Sequence, residues 1–496
     1  MAQPEIYLDH AATTPVHPEV MPKMLPYFGY HYGNPHSLHG LGKRARIALE
    51  RARQQVADLI GASSHEIIFT GGGTEADNLA IQGVARALSH KGKHIITSAI
   101  EHHAVLKPLA FLETLGFEVS YLGVDGQGLI DPAAVERAIR DDTILISIMH
   151  ANNEVGTIEP IEELGRIARS HGVLLHTDAV QSAGKIPIDI EGLQVDLLSL
   201  AAHKIYGPKG VGALYVRSGV KLAPVMFGGG HEQGLRPGTE NISAIVGFGQ
   251  ACMVAGRDLE RNLLSIKDLR DTLESMLLDR IPHAVVNGRP DRRLPHILSI
   301  TFEGLEAESI VINLDAAGIY TSAGAACTSS SMTASHVLTA MGIPEHKAFG
   351  TLRLSLGFEN TADEMMRTVE MMEQTVQNLT AFSAFSPADL VVFIFKHDHE
   401  SAKALEQLHA QGLAAVMAAT PGHLRSDGVS LHSLLVASAD KGKASSLIEE
   451  AGIALESVHE IRGISKPLRG KDMQAKAQTF WDTLETHGGA NDDNPS

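Results

Sequence analysis

Short apolar segments alternate with stretches of helical periodicity over residues 16–250. This alternation is typical of a mainly parallel sheet covered by helices, so the sequence predicts an α/β fold for this part of the chain. The predicted strands are residues 67–69, 94–97, 144–148, 173–176, 197–200 and 212–216. We expect residues 16–254 to form a large domain, and residues 1–15 with 255–385 to form a smaller α+β domain.

The pattern restarts after Pro387. Apolar runs favour strands at residues 390–395, 413–419, 431–437 and 454–458, and helical periodicity favours helices at residues 401–412 and 444–451. This β-α-β-β-α-β order predicts a ferredoxin-like domain over residues 387–460. Residues 461–496 form a charged tail, which we expect to be disordered.

Composition narrows the possible classes of protein. The chain has 496 residues, 44% of them hydrophobic, which is enough for large cores. Two cysteines give no disulfide framework and indicate a reducing cytoplasm. The N-terminus lacks a signal-peptide pattern, and no apolar run approaches the ~18 residues of a membrane span. The net charge of -17 argues against nucleic-acid binding.

One lysine stands out because it directly follows a predicted strand. Lys204 comes after the apolar run 195–200 and before a Gly-Pro loop. An amine in an apolar setting can form a Schiff base, which is how proteins tether pyridoxal 5'-phosphate (PLP). Most lysines are solvated surface charges, so this interpretation depends on three further features.

The first feature is a glycine-rich junction between a strand and a helix. Gly71-Gly72-Gly73-Thr74 follows residues 67–69, and a helical pattern continues from it. Free N–H groups and the helix dipole make such a junction a suitable anion site. The same residues also fit a tight turn without any ligand. They match neither the P-loop nor the dinucleotide-binding motif.

The other two features are an acid and an imidazole, each near the end of a predicted strand. Asp178 ends the run 173–178, and a carboxylate beside a pyridine nitrogen makes PLP a better electron sink. Asp178 could equally cap the next helix. His102 follows residues 94–97, where an imidazole could stack on a ring and relay protons, although the chain has 26 histidines.

Together, in this order, these features resemble a fold-type I PLP enzyme of the aminotransferase class V group. The resemblance narrows to a cysteine desulfurase of the nitrogen-fixation and iron–sulfur-cluster type and covers roughly residues 5–385. It implies a PLP cofactor and a fold with a large, mainly parallel-sheet domain and a small α+β domain. The segments that carry it, beyond those above, are residues 7–15, 32–37, 149–156, 228–232 and 236–241.

The resemblance implies a role for each matched residue. Lys204 would hold PLP as a Schiff base, Asp178 would face the pyridine nitrogen, and Gln181 would bind the phenolic oxygen. His102 would stack on the ring. The phosphate would be held by Gly73, Thr74 and His203, with Thr239 reaching across from a second subunit, which implies a homodimer.

The substrate side of the predicted site rests on two residues. Asn153 would lie beside the cofactor and the substrate carboxylate, and Arg353 would bind that carboxylate directly. A planar guanidinium suits this task because it pairs bidentately with a carboxylate. No metal site is predicted.

The two cysteines differ in their surroundings. Cys252 ends a run of small and apolar residues and is predicted to be a packed helix thiol. Cys327 lies in the small-residue run 322–331, which has no apolar period and is typical of a loop. The resemblance makes Cys327 the nucleophile that takes sulfur from L-cysteine and leaves alanine.

The chain departs from the resemblance in two places. The family usually carries a hydroxyl residue two positions before the histidine of the His-Lys pair, and here that position is Ala201. The missing hydrogen bond is worth roughly 1.5–3 kcal/mol if nothing replaces it, so PLP affinity is expected to fall. The C-terminal domain resembles a small sulfur or selenium carrier domain, yet residues 422–431, where its cysteine would be sought, contain none.

Two other classes stay open at this point. A PLP aminotransferase, or a lyase such as a selenocysteine lyase, would share Lys204, Asp178 and His102 without needing Cys327. A non-catalytic scaffold would tolerate the loss of Lys204. The expected partners are L-cysteine and a sulfur-acceptor protein, which the sequence does not identify.

Overall fold

The computed structural model describes residues 5–323, 334–384, 389–395, 398–410, 415–424, 430–437, 441–451, 453 and 455–462. Cys327 and the predicted tail from residue 463 onward lie outside the described residues.

Strands and helices alternate along the described chain. The strands are β1 Ile6–Tyr7, β2 Ile67–Thr70, β3 His94–Ser98, β4 Glu118–Leu122, β5 Thr143–Ser147, β6 Leu174–Asp178, β7 Leu197–Ala201, β8 Gly212–Val216, β9 Ala284–Asn287, β10 Ile297–Phe302, β11 Ile319–Tyr320, β12 Ser322–Ala323, β13 Thr351–Ser355, β14 Asp389–Phe395, β15 Ala415–Leu424, β16 Ser430–Ala437 and β17 Leu455–Arg462. The helices are α1 Met21–Met24, α2 Pro26–Gly29, α3 Gly40–Ile60, α4 Gly73–Leu88, α5 His103–Thr114, α6 Pro132–Ala138, α7 Ile161–His171, α8 Ile190–Leu193, α9 Ile242–Arg280, α10 Ala307–Ala316, α11 His336–Ala340, α12 Glu345–Ala348, α13 Ala362–Ala384, α14 Asp398–Ala410 and α15 Lys441–Glu450.

The largest sheet has the strand order β2-β8-β7-β6-β5-β3-β4 in the described chain. Its neighbouring strands run parallel except β8, which is antiparallel to both β2 and β7. The predicted α/β fold with a mainly parallel sheet is therefore confirmed. The sequence analysis missed β4 because this edge strand is only partly covered and lacks a continuous apolar run.

A second sheet, β12-β13-β10-β9, is antiparallel. Its core includes Ile300, Leu314 and Leu352, and the N-terminal segment joins it where β1 pairs with β11. Helix α9 is 39 residues long and contributes to both the large core and this second core. No loop therefore marks the predicted boundary at residues 254/255, which falls within α9.

The C-terminal region forms a third sheet in the order β15-β16-β14-β17, with every described pair antiparallel. Its elements follow the order β-α-β-β-α-β, as predicted for a ferredoxin-like domain. Strand β17 ends at Arg462, so the predicted start of the tail at residue 461 is two residues too early. Ile312 and Ala316 of α10 pack against its apolar core.

Among the residues that the structure describes, no helix combines the length and the apolar character needed to cross a membrane.

Candidate active site

The predicted site residues follow the carboxyl ends of strands in the large sheet. Asp178 ends β6, Lys204 closes a short 3₁₀ turn after β7, and His102 precedes α5 after β3. Strand β2 runs in the same direction as β7 and leads into Gly73, the first residue of α4. Ligands of open α/β sheets bind at this edge, so the topology brings the predicted residues to one place.

The Lys204 amine is held by the N-terminal segment. Its Nζ donates to the carbonyl oxygens of Ala11 (2.6 Å) and Ala12 (2.7 Å). Gln181 Nε2 donates to the same Ala11 oxygen at 3.0 Å, so Lys204 and Gln181 meet at one carbonyl. The sequence analysis gave these alanines no role, because the contacts come from the backbone and leave no side-chain signal.

His203 lies beside the same segment. Its Nδ1 is 3.2 Å from Thr13 Oγ1, and its carbonyl accepts from the Thr14 N–H at 2.9 Å. Burial, with smaller contributions from Lys204 and Lys209, lowers the pKa of His203 to about 4. The ring is therefore neutral at pH 7 and would serve a phosphate as a hydrogen-bond donor rather than as a cation.

Asp178 is buried among backbone donors. Its Oδ1 accepts from the Val180 N–H at 2.9 Å, and its carbonyl accepts from the His150 N–H at 2.8 Å. Burial raises the pKa of Asp178, while the Val180 bond and the charge of Lys204 oppose that rise. An ionised Asp178 consequently favours a cationic neighbour, which a protonated pyridine nitrogen would be.

A buried polar network behind Asp178 was missed by the sequence analysis. Asp77 lies in α4 with its Oδ1 3.6 Å from His176 Nε2, and His176 contacts Ser147 Oγ (2.8 Å) and Ser199 Oγ (3.0 Å). Burial and then the charge of Asp178 raise the pKa of Asp77. The only signal of this network in the sequence is Asp77 itself, a carboxylate on the apolar face of α4 one turn after Gly73.

His102 caps helix α5, and this contact determines which of its ring nitrogens carries the proton. Its Nδ1 accepts from the Ala104 N–H at 3.1 Å. Burial, together with Lys204 and His103, lowers the pKa of His102 to about 4, so the ring is neutral at pH 7. With Nδ1 as acceptor, the single ring proton lies on Nε2, where it is available for donation.

The glycine loop is closely packed at the start of α4. A Cβ on Gly73 would lie 2.7 Å from Val180 Cγ2, so no larger residue fits there without displacement. Glu75 Oε2 accepts from the Gly71 N–H at 2.8 Å, and its Oε1 accepts from Arg236 Nε at 2.9 Å. The charge of the Glu75 carboxylate is therefore balanced by Arg236. Thr74 remains exposed.

Arg353 is buried and already paired. Its Nη2 donates to Asp9 Oδ1 at 2.8 Å, and its Nη1 donates to the Asn153 carbonyl at 3.0 Å. Its Nε has no hydrogen-bond partner among the described residues. The structure therefore places Arg353 and Asn153 together, and adds Asp9 to the residues that the sequence analysis identified.

The remaining predicted residues are Thr239 and the two cysteines. Thr239 is exposed in the loop before α9, and its role at a second subunit stays a prediction. Cys252 is buried in α9, as predicted, and burial raises the pKa of its thiol. Cys327 lies outside the described residues.

The described residues that flank the Cys327 segment contact the same site. On one side, Ser322 pairs with Arg353 between β12 and β13. On the other, Ser335 Oγ donates to Glu154, the neighbour of Asn153 in the chain. The described residues on either side of positions 324–333 therefore lie against Arg353 and against the chain neighbour of Asn153.

These features fit PLP. The buried Asp178 favours a cation, Gly73 begins helix α4 at an N-terminus that suits a phosphate, and Lys204 lies at the same edge of the sheet. Lys204, Asp178 and Gln181 would hold the ring, and Gly73, Thr74 and His203 would hold the phosphate.

Comparison with known proteins agrees with this geometry. The aminotransferase class-V family model matches residues 6–367. The chain is 49% identical over 381 residues to the cysteine desulfurase IscS of Dictyoglomus turgidum, covering 77% of this chain and 97% of that protein. It is 50% identical over 384 residues to the IscS of Methanosarcina thermophila, covering 77% and 95%.

Solved structures give the same result. A NifS-like protein superposes with a TM-score of 0.71 and 38% identity, covering 75% of this chain and 100% of that chain. A structure titled "SspA in complex with cysteine" superposes with a TM-score of 0.63 and 40% identity, covering 71% and 98%.

The chain belongs to the aminotransferase class-V family of PLP-dependent enzymes. Within that family, the two curated relatives described above are cysteine desulfurases named IscS, and one of the two solved structures is a NifS-like protein.

Proposed function

We propose that this protein is a PLP-dependent cysteine desulfurase that converts L-cysteine to L-alanine and keeps the sulfur as a persulfide on Cys327. The observation that carries the proposal concerns the described residues on either side of the Cys327 segment: Ser322 pairs with Arg353, and Ser335 donates to Glu154. An aminotransferase built on the same framework would not need a cysteine in the segment between these two serines.

The reaction balances without an added oxidant. The Cys327 thiolate attacks the substrate sulfur, the Cβ–S bond of L-cysteine breaks, and Cβ gains a proton. The products are L-alanine and Cys327–S–SH. The attacking group must be the thiolate, because a neutral thiol is a poor nucleophile.

PLP, when bound, supplies the electron sink that makes the Cβ–S bond of the substrate breakable. The chain positions the reactants around it. Arg353 uses one N–H of Nη1 for Asn153 and one N–H of Nη2 for Asp9, so three of its five N–H groups remain for the substrate carboxylate. His102 carries its proton on Nε2 and can donate it during turnover.

The exposed surface near Thr239 supports the proposed homodimer. Tyr30, Tyr32, Leu38 and Phe227 are 81%, 69%, 84% and 78% exposed. Tyr30, Tyr32 and Leu38 lie in the segment before α3, and Phe227 lies in the loop before α9. The two segments meet where His36 Nε2 lies 2.8 Å from Glu240 Oε1. Large apolar side chains grouped in this way mark an interaction surface, and a second copy seated here would approach Thr239.

We further propose that the persulfide passes to an acceptor protein, as in iron–sulfur cluster assembly, in the cytoplasm. Cys327 is the only cysteine outside the buried core of α9, so the C-terminal domain cannot carry sulfur onward as a persulfide. Residues 387–462 would instead contribute to docking or regulation.

The test is a turnover assay of the purified, PLP-loaded protein with L-cysteine and a small thiol. Sulfide and alanine should appear in equal amounts. Transamination would instead give a keto acid without sulfide, and would overturn the proposal. The same assay with L-selenocysteine determines which of the two substrates is preferred.

A further inference from the structure

Two histidines and a glutamate, distant in sequence, meet outside the proposed PLP site. His36 lies before α3, His231 lies in the loop after β8, and Glu240 lies just before α9. One ligand atom from each residue lies within 4.8 Å of the other two. His36 Nε2 is 2.8 Å from Glu240 Oε1, and the two rings meet edge to face with centroids 4.8 Å apart.

The cluster contains buried polar atoms that have no hydrogen-bond partner among the described residues. The Glu240 side chain is only 3% exposed, and its Oε2 has no hydrogen-bond partner within the described part of the chain. The same holds for the buried Nδ1 of His231. Leaving a carboxylate oxygen desolvated and unpaired is costly, and a cation bound between these groups would remove that cost.

The segment that carries His36 is held in place. Asn34 Oδ1 accepts from the His36 N–H at 2.9 Å, and Arg46 Nε donates to the Pro35 carbonyl at 3.0 Å. These bonds fix the turn that presents the imidazole to Glu240. The ring itself is partly exposed, so it can rotate onto an ion, and water can complete the coordination.

The segment that carries His231 is held even more firmly. Glu232, the next residue, accepts two hydrogen bonds of 2.7 Å from the buried Arg53 guanidinium and one of 2.8 Å from the Phe69 N–H. These bonds keep Glu232 at φ 46°, in the left-handed region. The cluster therefore rests on two separately fixed loops, as a preorganised site requires.

We infer that His36, His231 and Glu240 form a binding site for one divalent transition-metal ion. Two imidazoles and one carboxylate suit Zn²⁺, Fe²⁺ or Co²⁺, whereas Mg²⁺ and Ca²⁺ prefer oxygen ligands. An ion with ligand bonds of ~2.0–2.2 Å spaces its ligands by about 3.3 Å, which lies between the 2.8 Å and 4.8 Å of this cluster. The sequence analysis predicted no metal, because His36 and Glu240 are 204 positions apart.

The site ties the loop before α9 to the segment before α3. Glu240 directly follows Thr239, so a bound ion would fix the residue proposed to serve a second subunit. This inference goes beyond the proposed function and is tested without turnover, so either can fail while the other stands.

The test uses the full-length, PLP-loaded protein with Cys327→Ser, so that the reactive thiol does not compete for metal. Zn²⁺ binding is measured by titration calorimetry, and Co²⁺ binding by its visible absorption. We expect one ion per chain. His36→Ala and Glu240→Gln should each weaken binding by at least about tenfold, since even changes beyond the ligands cost this much. His90→Ala, at an exposed histidine away from the cluster, should bind like the parent.

Absence of saturable binding in the parent protein overturns the inference, as does equal affinity in His36→Ala. X-ray absorption of the Zn²⁺ form should show imidazole and no sulfur ligand, and a sulfur ligand would also contradict the site. If Glu240→Gln does not fold, the exposed His36→Ala variant still decides the question.

Discussion

The carboxyl edge of the large sheet and the C-terminal four-stranded sheet differ in what they bury. The first buries Asp77, Glu101 and His176 near Asp178, and each of these residues has hydrogen-bond partners or neighbouring charges. The second is packed by apolar residues such as Phe393, Leu408 and Ile448, and its segment contains no cysteine. The family match ends at residue 367, before this sheet begins. Desulfurase chemistry therefore belongs to the first region, and the second is an addition to it.

The largest expected effect follows from removing the lysine of the first region. Lys204→Ala should abolish the visible absorption of bound PLP and all sulfide release, because no other amine is hydrogen-bonded to the Ala11 and Ala12 carbonyls in the described chain. Absorbance spectra and the sulfide assay check this, with the exposed Lys221→Ala as the control. Unchanged absorbance and sulfide release in Lys204→Ala would contradict the role of Lys204, whereas absence of both in the parent protein would favour the scaffold interpretation.

A second prediction tests the buried charges at this edge through their pH dependence. Burial raises the pKa of Glu101 from 4.5 to about 8 despite bonds from Ser98 Oγ and the Met149 N–H. The folded chain thus keeps a proton that the unfolded chain loses, so stability falls as pH rises from about 4.5 to about 8. Glu101→Gln should flatten that decline.

The measurement is the melting temperature of Glu101→Gln and the parent at pH 5 and pH 8, alongside Glu136→Gln at an exposed carboxylate. The Glu101 variant should gain relative to the parent only at the higher pH. An equal pH dependence in both proteins would mean that Glu101 is ionised in the folded state.

A third prediction concerns Ala201, which is buried at the end of β7 with its Cβ 3.5 Å from the position of a Cβ on Gly73. Ala201→Ser should supply the missing phosphate donor and tighten PLP binding by about tenfold to a hundredfold. Equilibrium dialysis of PLP measures this, and Ala201→Val, without a hydroxyl, serves as the control. Unchanged affinity in the serine variant would show that another donor already serves the phosphate.

The smallest effect is expected in the second region. A chain ending at Ser386 should keep sulfide release with a small thiol, although it exposes Ile312 and Ala316 of α10 and should lose some solubility or thermal stability. Transfer to an acceptor protein should fall if the added domain contributes to docking. Loss of PLP binding on truncation would contradict the separation of the two regions.

The sequence predicted the parallel sheet and the β-α-β-β-α-β order because continuous apolar runs reveal buried strands. It missed the edge strand β4, whose residues are all exposed or only partly buried. Lys204, Asp178 and His102 could be proposed as site residues because they lie near the ends of such runs. The carbonyls of Ala11 and Ala12, the Asp9–Arg353 pair and the His36–Glu240 contact could not, because they join segments that only the fold brings together.

The central claim is that sulfur moves from L-cysteine to Cys327. The direct measurement is peptide mass spectrometry of the PLP-loaded protein after a single turnover without added thiol. We predict a gain of one sulfur atom on the peptide that contains Cys327, none on the peptide that contains Cys252, and no sulfide release by Cys327→Ser, which keeps its PLP absorption. Persulfide on another residue, or full sulfide release by Cys327→Ser, would contradict it.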